Sequence, residues 1–180
     1  NSATPVVLMG YLNPVEIRGA AAFAKDAARA GVDGMLLVDL PPEEADAYRA
    51  AFAHNGLALI SLVSPTTPQA RLERLCQQAE GYLYYVSYAG VTGAAHLDVV
   101  EAARHLSQVQ AMAQVPVFAG FGIRDAASAA AMAAHADGVV VGSALVSVME
   151  SCTQAADVAN SAAAFLRPLR DALNGLAVSA

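Results

Sequence analysis

Several features common in proteins are scarce or missing from this 180-residue sequence. It has one lysine and two cysteines, and charged residues make up only 14% of the chain. No apolar run reaches the roughly 18 residues that a membrane helix needs, and no basic segment followed by an apolar one opens the chain. We therefore expect neither a membrane span nor a signal peptide. The net charge of −6, without any basic stripe, argues against nucleic acid as a partner.

The same scarcity excludes some kinds of catalysis. Lys25 lies inside an Ala-rich helical segment, so the chain has no strand lysine that could form a Schiff base. Carbon–carbon cleavage would have to use general acid–base chemistry instead. Cys76 and Cys152 lack the spacing of a metal site and fit free thiols in a reducing cytosol. The four histidines form no ligand pattern either, so we predict no metal.

What the sequence does contain is a series of short apolar runs, in a chain that is 56% hydrophobic. Each run is continuous rather than alternating, which favours parallel strands covered on both faces. Ala-rich helical segments separate the runs, and two of these segments end at Gly31 and Gly56, as helices commonly do. The similar stretches "AGVDGMLLV" and "AHADGVVVG" indicate a repeated βα module. The predicted strands cover residues 6–9, 35–38, 57–63, 82–87, 115–120 and 138–142.

Six βα units in one domain over residues 1–180 fit either an open doubly wound sheet or most of a TIM barrel. A complete barrel takes about 250 residues, and this chain begins almost directly on a strand. We predict the fold class as α/β, a TIM (β/α)8 barrel with about six of its eight units present and the first two outside this sequence. The last segment predicts a closing helix, with a kink or break at Pro168.

Glycine turns follow the last three predicted strands: "SYAGVTGAA", "GFGIRD" and "VGSA". A glycine lets a phosphate oxygen approach the backbone N–H, and a helix that starts just after the turn adds unpaired N–H groups. Each turn alone could be a plain connector, but three in consecutive units favour a phosphate site, as found after the last strands of TIM barrels. Ser143 could add a hydroxyl donor. Arg124 either reaches the phosphate or is a surface residue at a helix start.

Other candidate site residues also lie at predicted strand ends. Tyr11, Tyr84 and Phe121 would suit a flat apolar ligand if they meet at one mouth, although each alone fits an ordinary core. Asp39 directly follows the second predicted strand. It is either an acid–base group or a cap for the helix that begins near Pro42.

Five motifs in this order resemble the tryptophan synthase alpha subunit family: "PVVLMGYLNP", "GVDGMLLVDLPPEE", "YYVSYAGVTGA", "GFGIRDAASA" and "DGVVVGSALV". The resemblance implies a TIM barrel that cleaves indole-3-glycerol phosphate, by a retro-aldol reaction, to indole and glyceraldehyde 3-phosphate in tryptophan biosynthesis. It implies a cytoplasmic enzyme with no metal or organic cofactor of its own. The implied partner is the beta subunit, which carries pyridoxal phosphate, receives the indole through a tunnel and completes an α2β2 complex.

The resemblance also assigns site residues. The implied phosphate site is Gly93, Gly122, Gly142 and Ser143. The implied indole pocket is Met9, Tyr11, Leu36, Val38, Leu62, Tyr84, Thr92, Phe121 and Val140. Asn13, Asp39 and Pro41 match positions that face the beta subunit, which favours a partner role for Asp39. The loop that closes over the substrate matches the segment Ser87 to Ala95, where Thr92 would contact the catalytic aspartate and Tyr88 replaces a basic residue of some members.

The sequence departs from the family at the catalytic groups. The family's catalytic glutamate and aspartate lie on and just after the second strand, in a region that would precede Asn1, so no residue here matches either. We expect a polypeptide of these 180 residues to be inactive alone. The alternative is a non-catalytic barrel fragment that binds phosphate or a partner. A sugar-phosphate epimerase or isomerase is disfavoured by the pairing of "GVTG" with "GFGI" and by the lack of metal-ligating histidines at strand ends.

Overall fold

A computed structural model describes residues 3–86, 99–120 and 122–177 of the chain. Short strands alternate with helices along these ranges. The strands are β1 (Val7–Gly10), β2 (Gly34–Leu37), β3 (Ala58–Val63), β4 (Leu83–Val86), β5 (Val117–Gly120) and β6 (Gly138–Val140). The helices are α1 (Leu12–Arg18), α2 (Ala20–Arg29), α3 (Asp46–Ala53), α4 (Gln69–Gln77), α5 (Val99–Met112), α6 (Ala126–Ala133), α7 (Ser143–Glu150) and α8 (Ala155–Ala177).

The strands follow one another in the sheet in chain order, β1 to β6. The pairs β1–β2, β2–β3 and β5–β6 are parallel. This confirms the prediction drawn from the continuous apolar runs, because a strand buried on both faces needs no polar alternation. All six predicted strands are present, with ends shifted by up to two residues.

Two compact units make up the chain. The first consists of Asn1–Val63, Thr67–Tyr84 and Met112–Val115, and the second of Ser64–Thr66, Tyr85–Ala111 and Pro116–Ala180. A single domain over the whole chain stays a prediction.

The core of the first unit lies between one face of β2 and β3 and the helices that follow β1 and β2. Met35, Leu37 and Leu59 point to this face, and Val15 and Phe52 pack against them without any exposure. The segments before β2 and β3 end at Gly31 (φ 86°) and Gly56 (φ 76°), as predicted. Both glycines occupy the left-handed conformation that terminates helices, which other residues adopt only with strain.

The helix predicted to begin near Pro42 is divided in two. A 3₁₀ turn covers Pro42–Glu44, and α3 begins only at Asp46. Between them Ala45, 5% exposed, is part of the apolar core. Its burial fixes the position of the chain between the two helical pieces.

In the second unit, α6 packs against α8 through Ile123, Ala129 and Leu169, which are all buried. The predicted kink or break at Pro168 is wrong as regards a break, since α8 continues from Ala155 to Ala177. Phe165 and Leu173 pack against the same cluster from either side of the proline. This apolar burial offsets the hydrogen bond that a proline removes from a helix. None of the described helices is long and apolar enough to cross a membrane.

Candidate functional site

The predicted indole-pocket residues of the first unit share one face of the sheet. Parallel register pairs Met9 with Leu36, and Leu36 with Ile60. Side chains alternate along a strand, so Leu62 lies on the same face as Ile60, and Val38 continues the row beyond Leu36. The opposite face carries the residues that pack on the helices. The register therefore groups the four predicted residues Met9, Leu36, Val38 and Leu62.

This face is apolar and partly open. Leu36 and Ile60 are 1% and 4% exposed, whereas Met9 is 62% exposed. Tyr11, just beyond β1, is also largely exposed. Ile60 is an addition to the predicted set, and its signal in the sequence was its even spacing from Leu62 within one strand. A flat apolar ligand would find uncharged carbon surface here.

Tyr84 occupies β4 and is half-buried. Burial raises the pKa of its hydroxyl above the usual value of 10.0. The group is therefore neutral at physiological pH and can only donate or accept hydrogen bonds.

Asp39 connects the loops that follow β1 and β2. Its Oδ1 accepts a hydrogen bond from the backbone N–H of Leu12, at 2.7 Å, in the first turn of α1. The 3₁₀ turn that begins at Pro42 has no side-chain cap, so the alternative of Asp39 as a cap for that helix is wrong. The carboxylate satisfies an N–H that would otherwise lack a partner, at a different helix.

The same hydrogen bond positions the residues that the resemblance assigns to the partner. Asn13 is the second residue of α1, directly after Leu12, and Pro41 lies two residues after Asp39. All three side chains are exposed. Asp39 thus fixes the two loops that carry Asn13 and Pro41 in one arrangement.

In the second unit, the turn after β5 is followed by a helix start that is capped by its own side chains. Gly122 is exposed and has φ 71°. Asp125 then caps α6, since its carboxylate accepts the Ser128 N–H at 2.7 Å and the Ser128 hydroxyl accepts the Asp125 N–H at 3.1 Å. The hydrogen bond from the Ser128 backbone lowers the pKa of Asp125 below its usual value of 3.8. A capping box of this kind occupies the N–H groups that a helix start could offer to an anion.

The turn after β6 is different, because no side chain caps α7. Gly142 stands at the N-cap without a side-chain hydrogen bond, and its carbonyl accepts the N–H groups of Leu145 and Val146. Within the described residues, the N–H groups of Ser143 and Ala144 have no acceptor. A Cβ added at Gly142 would meet nothing within 4 Å. The start of α7 therefore offers free donors and open space, which is the arrangement that binds phosphate.

Two further predicted residues lie near these turns. Val140 ends β6 and is half-buried. Arg124 is 81% exposed, and its Nε lies 3.8 Å from Asp125 Oδ2. Its side chain is thus exposed at a helix start, and its contact with a phosphate stays a prediction.

Some predicted residues lie outside the described ranges, and their roles stay predictions. They are Gly93, Thr92, Phe121 and the rest of the segment Ser87–Ala95. Among the residues that the structure does describe, no three His, Cys, Asp or Glu side chains are grouped closely enough to hold a metal ion.

Comparison with known proteins identifies the family. The family sequence profile described as "Tryptophan synthase alpha chain" matches residues 1–174. The chain belongs to the tryptophan synthase alpha chain family. A curated relative from Xanthomonas oryzae, also described as a tryptophan synthase alpha chain, is 61% identical over 175 residues. That alignment covers 97% of this chain and 65% of the relative, so the chain spans slightly less than two thirds of the relative's length.

Solved structures of the family show the same fold. The crystal structure of tryptophan synthase subunit alpha from Legionella pneumophila matches with a TM-score of 0.86 and 42% identity, over 97% of this chain and 64% of that one. A structure of the tryptophan synthase α2β2 complex from Pyrococcus furiosus matches with a TM-score of 0.80 and 33% identity, over 97% and 68%. The predicted fold class, the TIM-barrel family with six βα units in this chain, is confirmed.

Proposed function

We propose that this protein acts in the cleavage of indole-3-glycerol phosphate to indole and glyceraldehyde 3-phosphate. Membership of the tryptophan synthase alpha chain family supports the proposal. The single structural observation that carries it is the uncapped start of α7, where the N–H groups of Ser143 and Ala144 are free for a phosphate group.

The substrate's phosphate would bind to the N–H groups of Ser143 and Ala144. The positive end of the α7 dipole and the hydroxyl of Ser143 would add to the attraction. Gly122, which is exposed in the turn after β5, is assigned to the same proposed site. The start of α6 contributes fewer donors to the phosphate site than its sequence suggested, because Asp125 and Ser128 already form hydrogen bonds to each other's N–H groups there.

Within the first unit, the apolar face formed by Met9, Leu36, Ile60 and Leu62 would suit an indole ring. These side chains share one face, and Met9 leaves carbon surface open to a ligand. The neutral hydroxyl of Tyr84 adds no charge to repel an aromatic ring.

We further propose the tryptophan synthase beta subunit as the partner. The Pyrococcus furiosus relative is described as an α2β2 complex. Asn13, Asp39 and Pro41 are exposed and held in one arrangement by the bond from Leu12 to Asp39, so they can form a preorganised contact surface. Pyridoxal phosphate would belong to the beta subunit, and this chain would need no cofactor of its own.

Catalysis by these 180 residues alone is limited by the acid–base groups. No residue of the sequence matches the glutamate and aspartate that the family uses for proton transfer. Groups of this type contribute about 10² to 10⁴ each to the rate. The alternative function, phosphate or partner binding without catalysis, rests on this mismatch.

One experiment tests both the proposed binding site and the assignment of the acid–base groups. A polypeptide of these 180 residues is assayed for indole release from indole-3-glycerol phosphate, and calorimetry measures its binding of an analogue that keeps the indole and the phosphate but lacks the glycerol hydroxyls. We expect binding without turnover, and Ser143→Ala should weaken the binding. Near-normal turnover would contradict the assignment of the acid–base groups. Absence of binding by a folded chain would contradict the proposed site.

A further inference from the structure

A cavity in the first unit contains polar residues that the proposed reaction does not use. It encloses about 330 Å³ at the carboxyl ends of β2 and β3, within the range of small-molecule sites. Leu37, Leu59 and Ala45, which belong to the helix-facing core, line it. Val38, Ile60 and Leu62 also line it, so the cavity touches residues of both faces of these strands.

Arg49 is the central polar residue of this cavity. Its side chain is 18% exposed, and the guanidinium makes both of its hydrogen bonds through Nη1, to Glu80 Oε1 and to the Gln78 carbonyl, each at 2.8 Å. Its Nε is buried and has no partner. Nε and Nη2 form the edge on which arginine binds carboxylates and phosphates with two parallel hydrogen bonds. A buried donor without an acceptor costs free energy, so this edge favours an oxyanion.

Ser61 gives the cavity a second polar group. It is the one polar residue among the buried side chains of the described ranges, at 8% exposure. It takes the place of an apolar residue on the face of β3 that Leu59 and Val63 otherwise fill. A serine at this point of the core places a hydroxyl donor at the cavity wall.

Arg71 completes the cationic lining. It reaches the cavity from the first turn of α4, and its side chain is 48% exposed. Its partner Glu43, at 3.0 Å, is 50% exposed, and an ion pair so open to water holds the guanidinium only weakly. One lining carboxylate, Asp39, opposes the two arginines, and it already accepts the Leu12 N–H.

We propose that this cavity binds a small oxyanion, a carboxylate or a phosphate, on the free edge of Arg49, with Ser61 and Arg71 as further donors. The three donors take no part in the proposed reaction, although Ile60 and Leu62 line the cavity and also belong to the proposed indole face. Since Asp39 and Pro41 also line the cavity, the anion would lie next to the proposed surface for the beta subunit.

The test is a titration of the protein with inorganic phosphate and, separately, with malonate, followed by amide NMR. The amides of Leu59 and Ser61 report on the cavity, and the amide of Ser143 reports on the α7 site. We expect the two cavity signals and the Ser143 signal to shift with phosphate, and the shift of the cavity signals to be the same in Ser143→Ala. The anion that saturates the cavity signals at the lower concentration identifies the preferred class.

Variants assign the contact. Arg49→Lys keeps the positive charge beside Glu80 but removes the two-donor edge, and Ser61→Ala removes the hydroxyl. Each should weaken anion binding at the cavity by about tenfold, since a hydrogen bond to a charged group is lost. Arg18→Lys, at an exposed arginine outside the cavity, is the matched control and should change nothing. Cavity signals that respond to neither anion, or affinities that are equal in Arg49→Lys and Arg18→Lys, would overturn the proposal.

Discussion

A methyl group added at Gly142 should separate phosphate binding from folding. The residue has φ −115°, outside the left-handed region, and a Cβ built there meets nothing within 4 Å. The folded protein can therefore accept Gly142→Ala, and we expect its free energy of unfolding to change by about 0.5 kcal/mol or less. The same open space is where a phosphate oxygen would approach the backbone, so the methyl group would obstruct the ligand.

The expected loss of affinity follows from the contact that is obstructed. A hydrogen bond to a charged group contributes about 1.5–3 kcal/mol, which corresponds to roughly 10-fold to 150-fold in Kd. Calorimetric titration with an analogue that carries both indole and phosphate measures this loss at the α7 site. Thermal unfolding of the same samples measures the stability.

Gly175→Ala is the matched control, because Gly175 lies in α8 and a Cβ there also meets nothing within 4 Å. It should bind the analogue normally and gain roughly 0.5–1 kcal/mol of stability, as alanine replaces glycine inside a helix. If folded Gly142→Ala binds the analogue as tightly as the unaltered protein, the assignment of phosphate to the start of α7 is wrong.

Two further predictions concern stability. Gly81→Ala should cost more than Gly56→Ala: both glycines have positive φ (64° and 76°), but a Cβ at Gly81 would lie 2.8 Å from a neighbouring side-chain atom, whereas at Gly56 it meets nothing. Urea unfolding should give about 1 kcal/mol for Gly56→Ala and 2–3 kcal/mol for Gly81→Ala, and equal losses would contradict the steric argument. The pKa of Asp125 is lowered mainly by the backbone hydrogen bond from Ser128, so its stabilisation is complete above the unfolded value near 3.8 and is lost as the pH falls through the folded pKa. Asp125→Asn should therefore flatten the acid side of the stability curve below about pH 4, and an unchanged curve would refute this role.

The strands could be predicted from the sequence because local composition determines them. A run such as "MLLV" has no polar position, and a strand covered on both faces requires none. Gly31 and Gly56 marked helix ends because few other residues adopt their backbone conformation. Pro168 misled the prediction because its local preference was overridden by packing: Phe165 and Leu173 hold α8 against one cluster on both sides of it.

The site could be predicted only in part. The glycine turns after β5 and β6 look equivalent in the sequence, yet Asp125 and Ser128 close one helix start while the start at Gly142 stays open. The partner of Asp39 could not be read from nearby residues, because Leu12 lies 27 positions away and is brought close by the pairing of β1 with β2. Contacts of this kind depend on the register of the sheet, which no local pattern specifies.

A phosphate bound at the uncapped start of α7 would become a structural component of the helix. Asp125 caps α6 permanently with its side chain, whereas an anion would cap α7 only while it is bound. Binding of the anion and the stability of the fold are then linked. At a ligand concentration 100 times its Kd, the free energy of unfolding rises by about 2.7 kcal/mol. A melting curve of Arg49→Lys, in which anion binding at the cavity is weakened, recorded with and without phosphate compounds would thus report on substrate recognition without any need for turnover.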